Sequence, residues 1–153
     1  MTVDDAVARA LEIGPDSSAA ERTIDITTLG ARTGLPRRIE VWFHRVDGRW
    51  YITGVPGRRN WYANLRAHPR FTVHLKHGVT ADLPATARPV DEATRRRVIT
   101  AALDLQNQPR FAGRVPRQNF DDWFARSPLV EIVFDDEQLR KSSSARSGQP
   151  RPQ

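Results

Sequence analysis

Cysteine is absent from the 153 residues. That absence removes a disulfide framework, a thiolate zinc site, an iron–sulfur cluster and a cysteine nucleophile. No apolar run approaches the ~18 residues a membrane helix needs. The N-terminus, MTVDDAVARA, is acidic where a secretory signal would carry a basic head and an apolar stretch. No segment repeats, and strands do not alternate with helices as a parallel βαβ sheet requires. What remains is one soluble, cytoplasmic domain, because this length suits a single core.

Charge is present in excess of one sign, but unevenly. The chain carries 24 basic and 18 acidic residues, a net +6. Four of the bases, Arg140, Lys141, Arg146 and Arg151, sit in a closing stretch without an acid, so residues 1–139 keep only +2. That stretch, 140–153, has no large apolar residue to bury and is expected to be a disordered basic tail. The interior concentration is more informative. Between Gly30 and Arg70 nine arginines meet only Glu40 and Asp47, a net +7. A site for a polyanionic small molecule has this look. An RNA-facing surface shares it, but the aromatic and basic residues match no RNA-recognition signature, so a nucleic-acid partner ranks last.

The hydrophobic pattern is mainly that of short strands. Residues 4–13 have helical spacing with acids in the first turn. Strands are read at 23–29, 38–46 and 49–55, the last two joined by a turn at Asp47-Gly48. A short helix at 61–69 ends on Pro69. A second hairpin covers 71–76 and 79–90, where Pro84 argues for a bulge or a sheet edge. Asp91 caps a helix over 91–105 whose apolar face is Val98, Ile99, Ala102 and Leu105. A long loop at 106–119, an aromatic helix at 120–127 and a doubly apolar, buried strand at 129–135 complete the count. About six strands joined mainly by hairpins fit a mainly β fold with helices (α+β), an antiparallel barrel with helices on its openings. Open barrel edges would favour a homodimer.

Two segments carry the chemistry. In GARTGLPRR (30–38), two glycines let the backbone turn toward a ligand, Thr33 offers a hydroxyl, and Arg32, Arg37 and Arg38 surround it. The spacing is not that of a P-loop. In GVPGRRNWYANL (54–65), Arg58 and Arg59 precede a helix start whose amides favour an anion, and Trp61 and Tyr62 can stack on a flat ring. The histidines do not assemble a metal site: His74 and His77 point to opposite faces of a strand, and His68 sits at a helix end.

The runs TTLGARTGLPRR, WFHRVDGRWYITG and RRNWYANLRAHPRFTV resemble the deazaflavin-dependent nitroreductases, also called F420-dependent quinone reductase-like proteins. The most specific pieces are the glycine-bracketed basic turn and W-Y-x-N-L-x-x-x-P from Trp61 to Pro69, and the resemblance spans about residues 20–135. It implies a split β-barrel over 1–139 and binding of coenzyme F420, a deazaflavin with a phosphate and a polyglutamate tail, with FMN as the alternative ligand. By position, the phosphate and tail contacts fall on Ala31, Arg32, Thr33, Arg37 and Arg38. Ile39, Val41 and Trp42 follow on the next strand, Thr53, Gly54 and Val55 pass the ring, and Asn60, Trp61, Tyr62 and Asn64 complete the pocket.

Such a cofactor transfers a hydride, and the protein orients the ring and excludes water. Trp42, Trp61 and Tyr62 are the ring walls this reading selects, and Tyr62, His44 or solvent supplies a proton. Three departures stand out. Ala31 replaces a common arginine, the 54–60 loop is short, and Phe111, Phe120, Trp123 and Phe124 stand in the half where relatives use tyrosines. They point to a small, apolar quinone-like or unsaturated acceptor. The same barrel can instead serve a non-catalytic carrier of a flavin, haem-like or lipid ligand.

Overall fold

The computed structural model describes residues 5–111 and 119–140. The expected basic tail from 141 onward, the part of the expected loop at 112–118 and the first residue of the expected N-terminal helix lie outside the described residues. The elements run α1 (Asp5–Leu11), β1 (Thr23–Leu29), β2 (Pro36–Val46), β3 (Arg49–Thr53), α2 (Asn60–Ala67), β4 (Arg70–Leu75), β5 (Ala81–Arg88), α3 (Glu92–Gln106), a 3₁₀ turn (Pro109–Phe111), α4 (Phe120–Arg126) and β6 (Leu129–Phe134).

The six strands close into a barrel in the order β1-β2-β3-β6-β5-β4, every neighbouring pair antiparallel. The β2–β3 turn places Asp47 (φ 54°) and Gly48 (φ 77°) in the left-handed region, the conformation whose twist matches two right-twisted strands. Alternation along the strands sends Ile24, Ile26, Phe43, Ile52, Val73, Ile132 and Phe134 inward, each almost sealed from solvent. Sealing each such side chain contributes about 1.5–3 kcal/mol.

The ladders are uneven in length: residues 36–42 of β2 pair with β1 but not with β3, and residues 81–84 of β5 pair with β4 ahead of the β6 ladder. Of the two expectations for Pro84, the bulge is corrected and the edge fits: β4 and β5 stay in unbroken register, with Pro84 opposite Thr72. The β5–β6 ladder begins only at Ala85. The Asp135 N–H donates to the Pro84 carbonyl at 3.0 Å; the return bond that proline cannot donate falls just past the end of that ladder.

The helices divide between inside and outside. α1 and α2 join the interior core through Val7, Leu11, Trp61 and Leu65, and the Trp50 indole N–H fastens α1 by donating to the Leu11 carbonyl at 2.8 Å. α3 and α4 instead cover the outer wall, where Tyr51 and Leu129 meet Val98, Ile99, Ala102, Leu103 and Trp123. The sequence pattern suggests helices on the openings; outward-facing apolar residues on β3 and β6 draw these two to the wall instead. Asp91 caps α3 as its side chain accepts from the Thr94 N–H at 2.7 Å.

Candidate functional site

The connector between β1 and β2 folds back on itself. Gly30 N–H donates to the Leu35 carbonyl and Gly34 N–H to the Gly30 carbonyl, both at 2.8 Å. Gly34 has φ 69°, and a Cβ on Gly30 would lie 2.5 Å from the Thr33 hydroxyl oxygen. Both glycines are therefore required by the turn. The Thr33 hydroxyl faces inward and accepts from the Leu35 N–H at 3.1 Å.

Asn64 of α2 ties this turn to the helix. Its Oδ1 accepts from the Ala31 N–H at 2.8 Å and its Nδ2 donates to Thr28 Oγ1 at 3.1 Å. The residue is buried, and both ends of its amide have partners inside the protein. Asn64 thus sets the spacing between the two arginine-bearing turns. Arg59 does similar work in the second loop, donating to the carbonyls of Arg58 at 2.9 Å and Val55 at 3.0 Å. It is also the N-cap of α2, and no side chain caps that helix start, so the first amides stay available to an anion.

Between these pieces runs a groove of about 970 Å³. Ala31, Arg32, Thr33, Arg37, Arg38, Ile39, Asn60, Trp61, Tyr62 and Asn64 all line it. Thr28, Gly30, Arg58, Arg59 and Ala63 line it too, beyond the set carried over by resemblance. The two arginines had a signal in their place before a helix start; Thr28, at the end of a strand, had none. No acidic residue is among the lining groups. The side chains of Arg32, Arg37 and Arg58 make no hydrogen bond or ion pair with any described residue. Arg38 differs: its Nε meets Asp25 at 2.9 Å, and Lys76 meets the same carboxylate at 2.7 Å. These contacts, Lys76 first, hold the Asp25 carboxyl below its usual range.

The aromatic wall comes from α2. Trp61 is largely packed into the barrel core, edge-on to Tyr62 at 5.9 Å between centroids. Tyr62 is half-buried, with the Arg66 guanidinium 5.8 Å from its ring centroid. Arg58 and Tyr62 also border an adjoining recess of about 550 Å³, lined further by Gly57, Arg95, Ala125, Arg126, Ser127 and Pro128.

The remaining sequence candidates stand elsewhere. Val41 packs against the interior cluster. Thr53 is buried and donates its hydroxyl to the Pro128 carbonyl at 2.6 Å. Gly54 and Val55 lie in the loop outside the groove lining. Trp42 lies edge-on to Phe111, centroids 5.1 Å apart, on the outer face of the barrel. His44 lies on that same face in a separate cavity of about 260 Å³. Strand alternation alone leaves His44 open to water; it is 5% exposed, because α3 and the segment before β1 cover this part of β2. Burial, reinforced by Arg22, drops its pKa from 6.5 to about 4. His74 is engaged on both ring nitrogens, with Thr27 and Asp82, each at 2.7 Å.

A family model described as F420H(2)-dependent quinone reductase matches residues 7–118. Among solved structures, the chain is similar to an F420 reductase at 14% identity and TM-score 0.54, covering 75% of this chain and 82% of that one. A conserved hypothetical protein from Mycobacterium tuberculosis matches at 17% identity and TM-score 0.55, over 100% of this chain and 92% of that one. A candidate pyridoxamine 5'-phosphate oxidase from Listeria innocua matches at 13% identity and TM-score 0.58, over 86% and 93%. At such identities these structures carry the fold alone, the split β-barrel.

Proposed function

Because the chain belongs to the F420H(2)-dependent quinone reductase family, we propose that it binds coenzyme F420 in the groove between the β1–β2 turn and α2. It passes a hydride from that coenzyme to a small, apolar quinone-like or unsaturated acceptor. The observation that carries this reading is the set of three unpaired guanidinium groups, Arg32, Arg37 and Arg58, lining one groove without a carboxylate among the lining residues. Cations left without internal partners suit a ligand with several negative charges. When bound, the deazaflavin supplies two electrons as hydride.

In this reading the arginines hold the phosphate and the acidic tail. The Gly30–Gly34 turn lets the backbone approach them, and Asn64 keeps turn and helix at a fixed distance. Ile39, Asn60, the edge of Trp61 and the ring of Tyr62 bound the flat part of the pocket. The recess beyond Tyr62 takes the acceptor against Ala125 and Pro128. Tyr62, which borders both groove and recess, holds the proton for the reduced product at its Oη, with solvent as the other source. His44 has neither the position nor the charge for that part, being neutral in a separate cavity.

The test is a fluorescence titration with coenzyme F420 beside FMN, followed by turnover with a simple quinone. Saturable binding in the micromolar range, weakened by Arg32→Ala, supports the reading. Absence of saturation rejects it. Binding without turnover of any quinone would favour the carrier.

A further inference from the structure

We propose that the small cavity on the outer face of β2 is a second ligand site, for an organic carboxylate with a short apolar body. The cavity holds about 260 Å³ between the segment leading to β1, the second half of β2 and α3. It shares no lining residue with the groove of Arg32 and Arg37.

Its polar pole is Arg22, only 2% exposed. The guanidinium Nη2 donates to the carbonyls of Gly14 at 2.8 Å and Ser17 at 2.9 Å. Its Nε is sealed from solvent and has no hydrogen-bond partner. Among the described residues no carboxylate lies within ion-pair distance of it: Glu21 acts on it only at longer range, and its other neighbour is the Trp42 ring, 5.8 Å from the guanidinium carbon to the centroid. A second buried charge among the described residues shows what is missing: Glu131 is met by Arg88 at 2.9 Å and Arg49 at 3.7 Å. A cation withdrawn from water without a counter-charge is costly to keep, and an anion beside it would offset that cost.

His44 lines the same space, and its imidazole makes no hydrogen bond with any described residue. A neutral ring presents one N–H donor and one bare nitrogen. A carboxylate seated against the Arg22 guanidinium where it lines the cavity can accept from that N–H. The charged groups around the ring are Arg22 on the preceding segment, Arg45 on its own strand and Asp104 on α3. Asp104 is exposed and makes no ion pair, and near Arg22 Arg110 adds positive charge and Glu21 negative charge. The balance favours an anion. Ile13, Pro15, Val46, Ala101 and Leu105 give the wall its apolar part, beside Gly14 and Gln108, which suits an alkyl or aryl body better than a bare phosphate.

The test follows the His44 imidazole by NMR while the full chain is titrated with hexanoate at constant ionic strength, with hexanol and inorganic phosphate as controls. The expected result is a saturable hexanoate response at millimolar concentration, with His44 gaining proton affinity by about one pKa unit because an anion now faces it. Hexanol should be silent and phosphate weaker by about tenfold. Arg22→Met should abolish the response. Since Arg22 also anchors Gly14 and Ser17, Ala101→Leu provides the second variant: it fills the cavity without touching a charge, and should abolish hexanoate binding while leaving binding in the groove unchanged. No saturable response to hexanoate, an equal response to hexanol, or a response that survives Ala101→Leu would overturn the proposal.

Discussion

The two ends of β2 hold positive charge in opposite ways. At its start, Arg37 is exposed, unpaired and turned into a wide groove beside Arg32 and Arg58. Toward its end, His44 is sealed beneath α3 with the buried Arg22. A hydrated guanidinium keeps its charge without a desolvation cost and stays free to meet an anion. A buried one has already lost its water and depends on whatever the fold supplies, here two backbone carbonyls. Side-chain type is the same at both ends; the solvent around it sets what each can do.

The largest effect expected comes from emptying the first region. Replacing Arg32, Arg37 and Arg58 together by alanine should raise the F420 dissociation constant by about a thousandfold, roughly tenfold for each charge-assisted hydrogen bond removed. The urea midpoint should stay where it is, because these side chains make no hydrogen bond or ion pair with any described residue. A parallel loss of stability would erase the contrast between the two ends.

The second region should respond to acid. The unfolded chain takes a proton on His44 near 6.5, whereas the folded protein resists until about 4. Between those values the unfolded state binds more protons, so stability falls as the pH falls. The loss is on the order of 3 kcal/mol across that window and is absent above it. Urea unfolding measured from pH 7 down to 4 checks this, and His44→Gln should flatten the profile. The window lies above the range in which Asp25, whose pKa is lowered from 3.8, adds its own acid sensitivity.

Asn64 joins the groove's two sides, so its removal should blur the contrast. Asn64→Leu leaves the Ala31 N–H and the Thr28 hydroxyl without partners, at about 2 kcal/mol of stability. F420 affinity should fall with it. A variant that lost stability but bound normally would mean that the turn finds its position without the helix. The smallest effect is reserved for Asp25→Asn. It weakens the two ion pairs Asp25 makes with Arg38 and Lys76, and because both cations reach solvent, stability should change by only about 1 kcal/mol. It also releases Arg38 into the groove, and affinity should improve by no more than about threefold. Denaturation and fluorescence titration on the same sample separate the two readouts.

Much of the barrel was legible along the chain because its signals are local. The alternation through β1 and β2, Asp47-Gly48 at the hairpin, Asp91 before α3 and Pro69 after α2 each act over a few residues. The Gly30–Gly34 turn and the arginines near it were legible for the same reason. Asn64 was visible as a pocket residue, but its part in holding the turn was not, since its partners Ala31 and Thr28 lie 33 and 36 positions away. Trp42 read as a ring wall because alternation gives a face without saying what covers it. The structure sets it against Phe111.

The order of amino acids by itself determined the strands, their turns, the positive segment and the two glycine–arginine bends, because strand periodicity and turn conformation depend on neighbours in the chain. Only the tertiary structure decided which arginines face a carboxylate, which face open groove and which are buried. Pairing and desolvation are settled by groups that meet in space, and Arg38, Arg37 and Arg22 receive three different answers from the same side chain.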